Sequence, residues 1–193
     1  MSTSVEPGAA ARQAATRAVA AVVHGGRSLS DALPEAEAGL AGADRALIRE
    51  LAYGALRWYG RLQAVTAELL ARPLRPRDRI LEPLLVVGCY QLAFTRIPAH
   101  AAVSATVAAA DALGRPRARG LINGCLRRFQ REAPEILQRV DREPATAAAL
   151  PKWLYRAIAD DWPAEREAVT RALLERPPMT LRVNRRATTV AAY

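Results

Sequence analysis

The sequence has 193 residues, about half of them apolar, and carries 28 Lys and Arg against 19 Asp and Glu, a net charge of +9. That length and apolar content allow one large or two small domains with a real core, and the 5% aromatic content favours aliphatic helix packing over an aromatic-rich sheet. No uncharged apolar stretch reaches about 18 residues, so no membrane-spanning helix is expected; the N-terminus lacks a signal-peptide pattern, and two cysteines without paired spacing favour a reduced, cytoplasmic compartment.

The first part of the chain has the apolar periodicity of α-helices. Residues 1–8 are small and polar and are expected to be disordered. A first helix then runs to Gly25 and Gly26, which are expected to end it. A short helix follows near residues 29–33. The strongest apolar pattern runs without a break over residues 44–70 and predicts one long helix.

Prolines and glycines divide the rest of the chain into shorter helices. Asp78 is the expected N-cap of one helix, Pro98 suits the first turn of the next, and a third is expected over residues 116–132. Four later prolines are each expected to open a smaller helix: Pro134, Pro144, Pro151 and Pro163. Only residues 179–184 alternate between apolar and polar, as a strand does. A lone strand is unstable, so this one resembles the first piece of a domain that is cut off, and the predicted fold is all-α apart from it.

The positive charge is concentrated in one part of the sequence. Residues 72–131 contain eleven arginines and three acidic residues, a net charge of +8, which leaves about +1 for the other residues. A bias of genome composition would explain why arginine greatly outnumbers lysine, but it does not explain this location. A concentrated basic segment indicates a polyanionic partner such as nucleic acid.

The expected helix over residues 116–132 carries a candidate binding surface. At about 100° per residue its apolar side chains share one face, and four arginines fall roughly opposite: Arg117, Arg127, Arg128 and Arg131. Guanidinium groups suit bidentate phosphate contacts. Gly120 and Gly124 lie among these arginines and would let a nucleic-acid backbone come close, although each costs a helix about 1 kcal/mol relative to alanine. Two alternatives remain: another helix packs on the glycines, or the arginines are only a solvated face.

Two further features could contribute to nucleic-acid binding. A second basic run, interrupted by prolines, is expected to form a loop that either lies along a phosphate backbone or is simply solvated: Arg72, Arg75, Arg77 and Arg79. Asn123 stands between the two glycines of the basic helix. Its amide could donate to a base or a phosphate, or it could join two helices as a buried amide.

Nothing in the sequence predicts a catalytic site. There is no glycine-rich loop between a strand and a helix, so neither a dinucleotide site nor a P-loop is expected. No Ser/His/Asp or Cys/His arrangement suggests an activated nucleophile. His24 and His100 have no partner at metal-ligand spacing. We therefore expect no catalytic, cofactor-binding or metal-binding residues in this chain.

Several strings, in order, resemble a known family. They are residues 44–54 (DRALIRELAYG), 90–92 (YQL), 96–103 (RIPAHAAV), 120–128 (GLINGCLRR), 151–154 (PKWL) and 177–184 (PPMTLRVN). Together they resemble the N-terminal part of the RsmB (Sun/Fmu) family of bacterial 16S rRNA cytosine-C5 methyltransferases. The first four strings also occur, more loosely, in the transcription antitermination factor NusB.

The resemblance implies a division of the chain and a role for it. Residues 9–145 would form a NusB-like helical RNA-binding domain, residues 146–176 a helical connector, and residues 177–193 the start of a small α/β domain. The family's catalytic domain binds S-adenosylmethionine and uses two cysteines, one in a Pro-Cys motif, together with a glycine-rich loop. This sequence has neither motif, and Cys89 and Cys125 lie in predicted helices. The chain alone is therefore expected to be inactive and to dock the enzyme on the 16S rRNA of the small ribosomal subunit.

Two other functions are compatible with the residues. A free-standing NusB-type antitermination factor would bind RNA without being an enzyme, but it would have no need of a connector followed by PPMTLRVN. A helical protein–protein adaptor would carry its positive charge incidentally and would show no salt-dependent affinity for RNA.

Overall fold

Residues 8–193, which the computed structural model describes, form ten α-helices and two short 3₁₀ turns. Of the segment expected to be disordered, residues 1–7 lie outside the described part. None of the described helices is long and apolar enough to cross a membrane. The helices are α1 (Ala9–Val23), α2 (Leu29–Glu37), α3 (Gly42–Arg57), α4 (Tyr59–Leu69), α5 (Leu81–Phe94), α6 (Ala99–Ala112), α7 (Arg119–Val140), α8 (Pro144–Ala147), α9 (Lys152–Asp161) and α10 (Arg166–Leu174).

Helix α5 is the centre of the bundle. It is apolar on all sides, and every residue from Leu81 to Gln91 except Glu82 is buried. A helix of this kind has to be surrounded, and α1, α3, α4, α6 and α7 all pack against it. The predicted helical bundle with an aliphatic core is confirmed.

A polar network crosses this core. The Arg12 side chain is only 5% exposed, and its Nε donates to Gln91 Oε1 at 2.9 Å. The Gln91 amide donates in turn to Thr106 Oγ1 at 3.1 Å. Burial lowers the pKa of Arg12, yet a guanidinium stays protonated in a protein. The network therefore joins α1, α5 and α6 through one buried charge whose hydrogen bonds are directional.

At Gly54 the backbone of α3 lies directly against the Tyr90 side chain of α5. A Cβ at this position would lie 1.9 Å from Cζ of Tyr90. The Tyr90 ring stacks on Phe94, and its hydroxyl donates to Glu50 Oε1 at 2.8 Å. Burial, together with this bond to Glu50, raises the pKa of Tyr90 to about 12. The other carboxylate oxygen of Glu50 accepts a hydrogen bond from Arg176, which follows the last helix.

The prediction of one long helix over residues 44–70 is wrong. The helix breaks at Trp58, whose φ of −100° and ψ of 12° are not helical, and α4 begins at the next residue. The break lets α3 pack on α1 while α4 packs on α7, which one straight helix could not do. Gly60, just after the break, permits a close approach of the Ala149 carbonyl, 3.0 Å from where a Cβ would stand.

Three predicted helix starts also need correction. Asp78 does not cap α5, because it ends a 3₁₀ turn and α5 begins only at Leu81. Pro98 occupies the N-cap position rather than the first turn of α6. The helix expected over residues 116–132 begins with a 3₁₀ turn and continues past Pro134, with a kink at Glu132 where the φ of −117° and ψ of 16° are not helical. Proline lacks an N–H and clashes with the preceding turn, which accounts for the kink.

The end of the chain differs from expectation in one respect. Helices α9 and α10 follow α8, but residues 179–184, where a strand was predicted, form no strand in the structure. A strand needs a neighbour to accept and donate its backbone hydrogen bonds, and residues 8–193 supply none here. Met179 and Leu181 of this segment are exposed.

We expect Gly54→Ala to destabilise the bundle by about 1–3 kcal/mol, because the new methyl group would overlap the Tyr90 ring in a packed core. Urea unfolding should show a lower midpoint with an unchanged slope. Gly42→Ala is the matched control, since no atom lies within 4 Å of its Cβ position. Equal midpoints for the two variants would show that the close contact does not constrain the fold.

Candidate nucleic-acid interface

The fold brings the two basic segments together around one groove. The loop between α4 and α5 forms one wall, and the turn between α6 and α7 with the first turn of α7 forms the other. The groove has a volume of about 840 Å³. Four of the arginines singled out in the sequence line it, namely Arg72, Arg75, Arg77 and Arg117. The basic loop and the start of the basic helix, which are about 40 residues apart in sequence, thus line one surface in the fold.

Arg115 holds the two walls of the groove together. Its Nη2 donates to the Arg77 carbonyl oxygen at 2.7 Å, and its Nε lies 3.3 Å from Asp78 Oδ1. Asp78 is the one acidic residue that lines the groove, and Arg77 also lies within 3.6 Å of it. The negative charge of Asp78 is therefore compensated by Arg77 and Arg115.

Sequence reasoning missed this role of Arg115. It counted the residue only as part of the basic segment, and it assigned Asp78 to a helix cap. The position of Arg115 between Gly114 and Pro116 indicates a fixed turn. The residue that Arg115 contacts, Asp78, lies 37 residues earlier in the sequence, so only the fold shows that they meet.

Three groove arginines are free to bind a ligand. Arg72, Arg75 and Arg117 are exposed, and none of them forms an ion pair or a side-chain hydrogen bond with another described residue. Like charges gathered on one surface without counter-charges attract a polyanion. The guanidinium group is also the side chain best suited to planar, bidentate phosphate contacts.

Helix α7 extends this surface as an exposed stripe. The stripe runs along about three turns of the helix and consists of Gly120, Asn123, Gly124, Arg127 and Arg131, all exposed. No described atom lies within 4 Å of a Cβ built on either glycine, so no helix of residues 8–193 packs there. The Asn123 amide is solvent-facing, which removes the alternative of a buried amide between helices.

Two of the arginines named in the sequence lie elsewhere. Arg128 is half-buried against the end of α4, where its Nη1 donates to the Glu68 carbonyl oxygen at 3.1 Å and its Nε to Glu132 at 3.0 Å. It was placed with the exposed arginines because a helical wheel does not show a neighbouring helix. Arg79 points away from the groove and lines a smaller cleft beside α1.

The thiols and imidazoles are not arranged for chemistry. Cys89 and Cys125 are buried, and burial raises the pKa of both thiols, so neither is a thiolate at neutral pH. Within the described part of the chain, no three His, Cys, Asp or Glu side chains cluster as metal ligands would. The groups that do converge are guanidinium groups and the Asn123 amide, which are donors that can hold a polyanion.

Comparison with known proteins matches two parts of the chain to two different family models. Residues 9–131 match the model of the NusB family. Residues 150–193 match a model described as a ferredoxin-like domain of RsmF/B-like methyltransferases.

Curated relatives resemble nearly the whole chain. A protein of Pseudomonas putida named ribosomal RNA small subunit methyltransferase B is 46% identical over 182 residues, which is 94% of this chain and 42% of that relative. Proteins of the same name from Pseudomonas syringae and Erwinia tasmaniensis are 45% and 44% identical over 91% and 89% of this chain, and 39% and 40% of their own lengths. The chain thus spans about two fifths of the length of these relatives.

Proposed function

Since this chain belongs to the NusB family through residues 9–131, we propose that its helical bundle binds RNA in the basic groove and along the glycine stripe of α7. The observation that carries the proposal is the groove, where Arg72, Arg75 and Arg117 face solvent without acidic partners among the described residues. Arg77 would contribute from the same wall. These side chains would hold phosphates and so fix the position of the RNA.

The RNA backbone would contact the stripe on α7 directly. A helix surface without side chains at Gly120 and Gly124 leaves room for a sugar-phosphate chain. Arg127 and Arg131 would contact its phosphates, and the Asn123 amide would donate to a base edge or a phosphate oxygen. This use explains why two glycines, both unfavourable in a helix, stand on an exposed face.

For the whole protein we propose the function that its relatives' name states, methylation of small-subunit ribosomal RNA. In that protein residues 9–145 would dock the enzyme on 16S rRNA, residues 146–176 would be a helical connector, and residues 177–193 would begin a small α/β domain. The match of residues 150–193 to the ferredoxin-like domain of methyltransferases favours this function over a free-standing antitermination factor.

Methyl transfer itself is not assigned to this chain. S-adenosylmethionine would supply the methyl group, and the residues described here do not fit it, because they contain no strand followed by a glycine-rich loop. Cys89 and Cys125 are core residues of the bundle and are not proposed as nucleophiles.

Replacing three free groove arginines and one arginine of the stripe together by Gln (Arg72, Arg75, Arg117 and Arg127) should weaken RNA binding and reduce its salt dependence. Each lost phosphate contact should lower the slope of log K against log salt by roughly 0.7 for single-stranded RNA. Fluorescence anisotropy at several salt concentrations measures both quantities. The melting temperature should hardly change, because these side chains are exposed.

A second quadruple variant controls for net charge. Arg142, Arg156, Arg171 and Arg186 are also exposed and form no ion pair within residues 8–193. Their replacement by Gln removes the same charge at a distance from the groove. Equal losses of affinity in the two quadruple variants would mean that RNA responds to overall charge and that the groove is not its site.

Changing both Gly120 and Gly124 to Ala should stabilise the bundle while weakening RNA binding. Alanine is favoured over glycine in an exposed helix by up to about 1 kcal/mol at each position, and both methyl groups have space. The same methyl groups would hold an RNA backbone away from the helix. Thermal unfolding and anisotropy on one preparation test the two effects, and unchanged affinity would exclude a close approach at the stripe.

We also infer that residues 179–184 become a strand when the rest of a ferredoxin-like domain is attached. The support is the match of residues 150–193 to that domain together with the alternating sequence. Amide exchange should be fast at these residues in the 193-residue chain and slow in a chain that contains the whole domain. Fast exchange in both chains would contradict the inferred strand.

A further inference from the structure

We infer that Arg17, His24 and Arg79 form a second phosphate-binding site, in a cleft beside α1 that is distinct from the groove. The proposed ligand is an RNA phosphodiester, and this choice rests on the proposed function. The position of the site rests on the geometry of the cleft alone. The cleft has a volume of about 310 Å³ and is lined by these three side chains with Ala20, Ala21, Gly25 and Ile80. No acidic residue lines it.

The three polar side chains of the cleft have no partner within the described part of the chain. Arg17 and Arg79 are exposed, and neither forms an ion pair or a side-chain hydrogen bond with another described residue. The same holds for the imidazole of His24, which is half-buried. Most arginines around α2, α4 and the kink in α7 do have such partners: Arg27, Arg49, Arg61, Arg128 and Arg139.

The side chains of the cleft are not needed as hydrogen-bond donors to the carbonyl groups at the end of α1. The Ala20 carbonyl accepts a hydrogen bond from the His24 N–H, the Ala21 carbonyl from Arg27, and the Val22 carbonyl from Gly26. Backbone N–H groups therefore already bond to three carbonyls of the last turn. Cations near a helix C-terminus often serve those carbonyls, and here that explanation does not apply.

The floor of the cleft is made of small residues. Ala20, Ala21 and Gly25 leave the space between the two guanidinium groups and the imidazole open. An anion that entered would meet donors from two elements of the fold, α1 and the loop before α5. Arginine and histidine N–H groups are donors that suit phosphate oxygens.

The same loop connects the cleft to the groove. Arg77, Asp78 and Leu81 face the groove, whereas Arg79 and Ile80 face the cleft. Adjacent Cα atoms are about 3.8 Å apart, so only a few ångströms of backbone separate the two surfaces. An RNA strand that leaves the groove over this loop would reach the cleft with its next phosphates. A short RNA would fill the groove alone, and a longer one would use both sites.

The test compares oligouridylates of about 5 and about 15 nucleotides, which lie within the range of single-strand site sizes, on the whole 193-residue chain. For the long RNA, changing Arg17 and Arg79 together to Gln should lower the salt slope by roughly 1.4, about 0.7 for each lost contact. For the short RNA the slope and the affinity should not change. The double variant Arg142→Gln with Arg171→Gln is the matched control and should leave both RNAs unaffected.

Two results would overturn the second site while leaving the groove proposal intact. One is long-RNA binding that is unchanged in the Arg17 and Arg79 double variant but lost in the groove quadruple variant. The other is an equal loss of affinity for the short and the long RNA. Thermal unfolding verifies that each variant is folded.

A separate experiment titrates the chain with inorganic phosphate and follows the amide resonances of residues in and beside the cleft. Phosphate should shift the amide resonances of Gly25 and Gly26 in the wild-type chain and not in the double variant. If neither RNA binds the wild-type chain, the proposed function fails, and these shifts would then support a site for free phosphate. Without RNA binding and without shifts, the second site is overturned as well.

Discussion

The burial of α5 on all sides is the constraint on which the rest of the structure depends. A helix that is predominantly apolar on all sides is stable only when other helices surround it, and five helices do so here. Close packing then requires small residues at the crossings, as at Gly54 under Tyr90 and at Gly88 under Leu126. The chain must also enter this helix from the surface, through the loop that follows α4. That loop is one wall of the basic groove. The groove therefore lies where the chain passes from the surface into the buried helix α5.

Local patterns were sufficient to predict the helices, because apolar periodicity, prolines and glycines act over a few residues. They were not sufficient for the break at Trp58, since the apolar pattern continues through it and only the different neighbours of α3 and α4 require it. The strand expected at residues 179–184 marks the opposite situation. There the local pattern is that of a strand, but the pairing partner on which a strand depends is not among the described residues.

In the candidate site, too, some features follow from neighbouring residues in the sequence and others only from contacts between distant residues. Charge density singled out two basic segments, and the fold brings Arg72, Arg75 and Arg117 of those segments to one groove. Which arginines remain free is decided by partners that are far away in sequence. Arg128 is taken by the end of α4, 60 residues earlier, and Arg115 by the loop that follows α4. A helical wheel shows the face on which a side chain lies but not the helix that meets it.

Two ion pairs join the bundle to the segment that follows it, Glu50 with Arg176 and Glu143 with Lys152. All four side chains are substantially exposed, and exposed pairs weaken as salt screens them. Raising the ionic strength should therefore weaken the two contacts that tie the following segment to the bundle. Salt would thus act at two places in the same molecule, on the pairs that hold Lys152 and Arg176 to the bundle and on the exposed arginines of the groove.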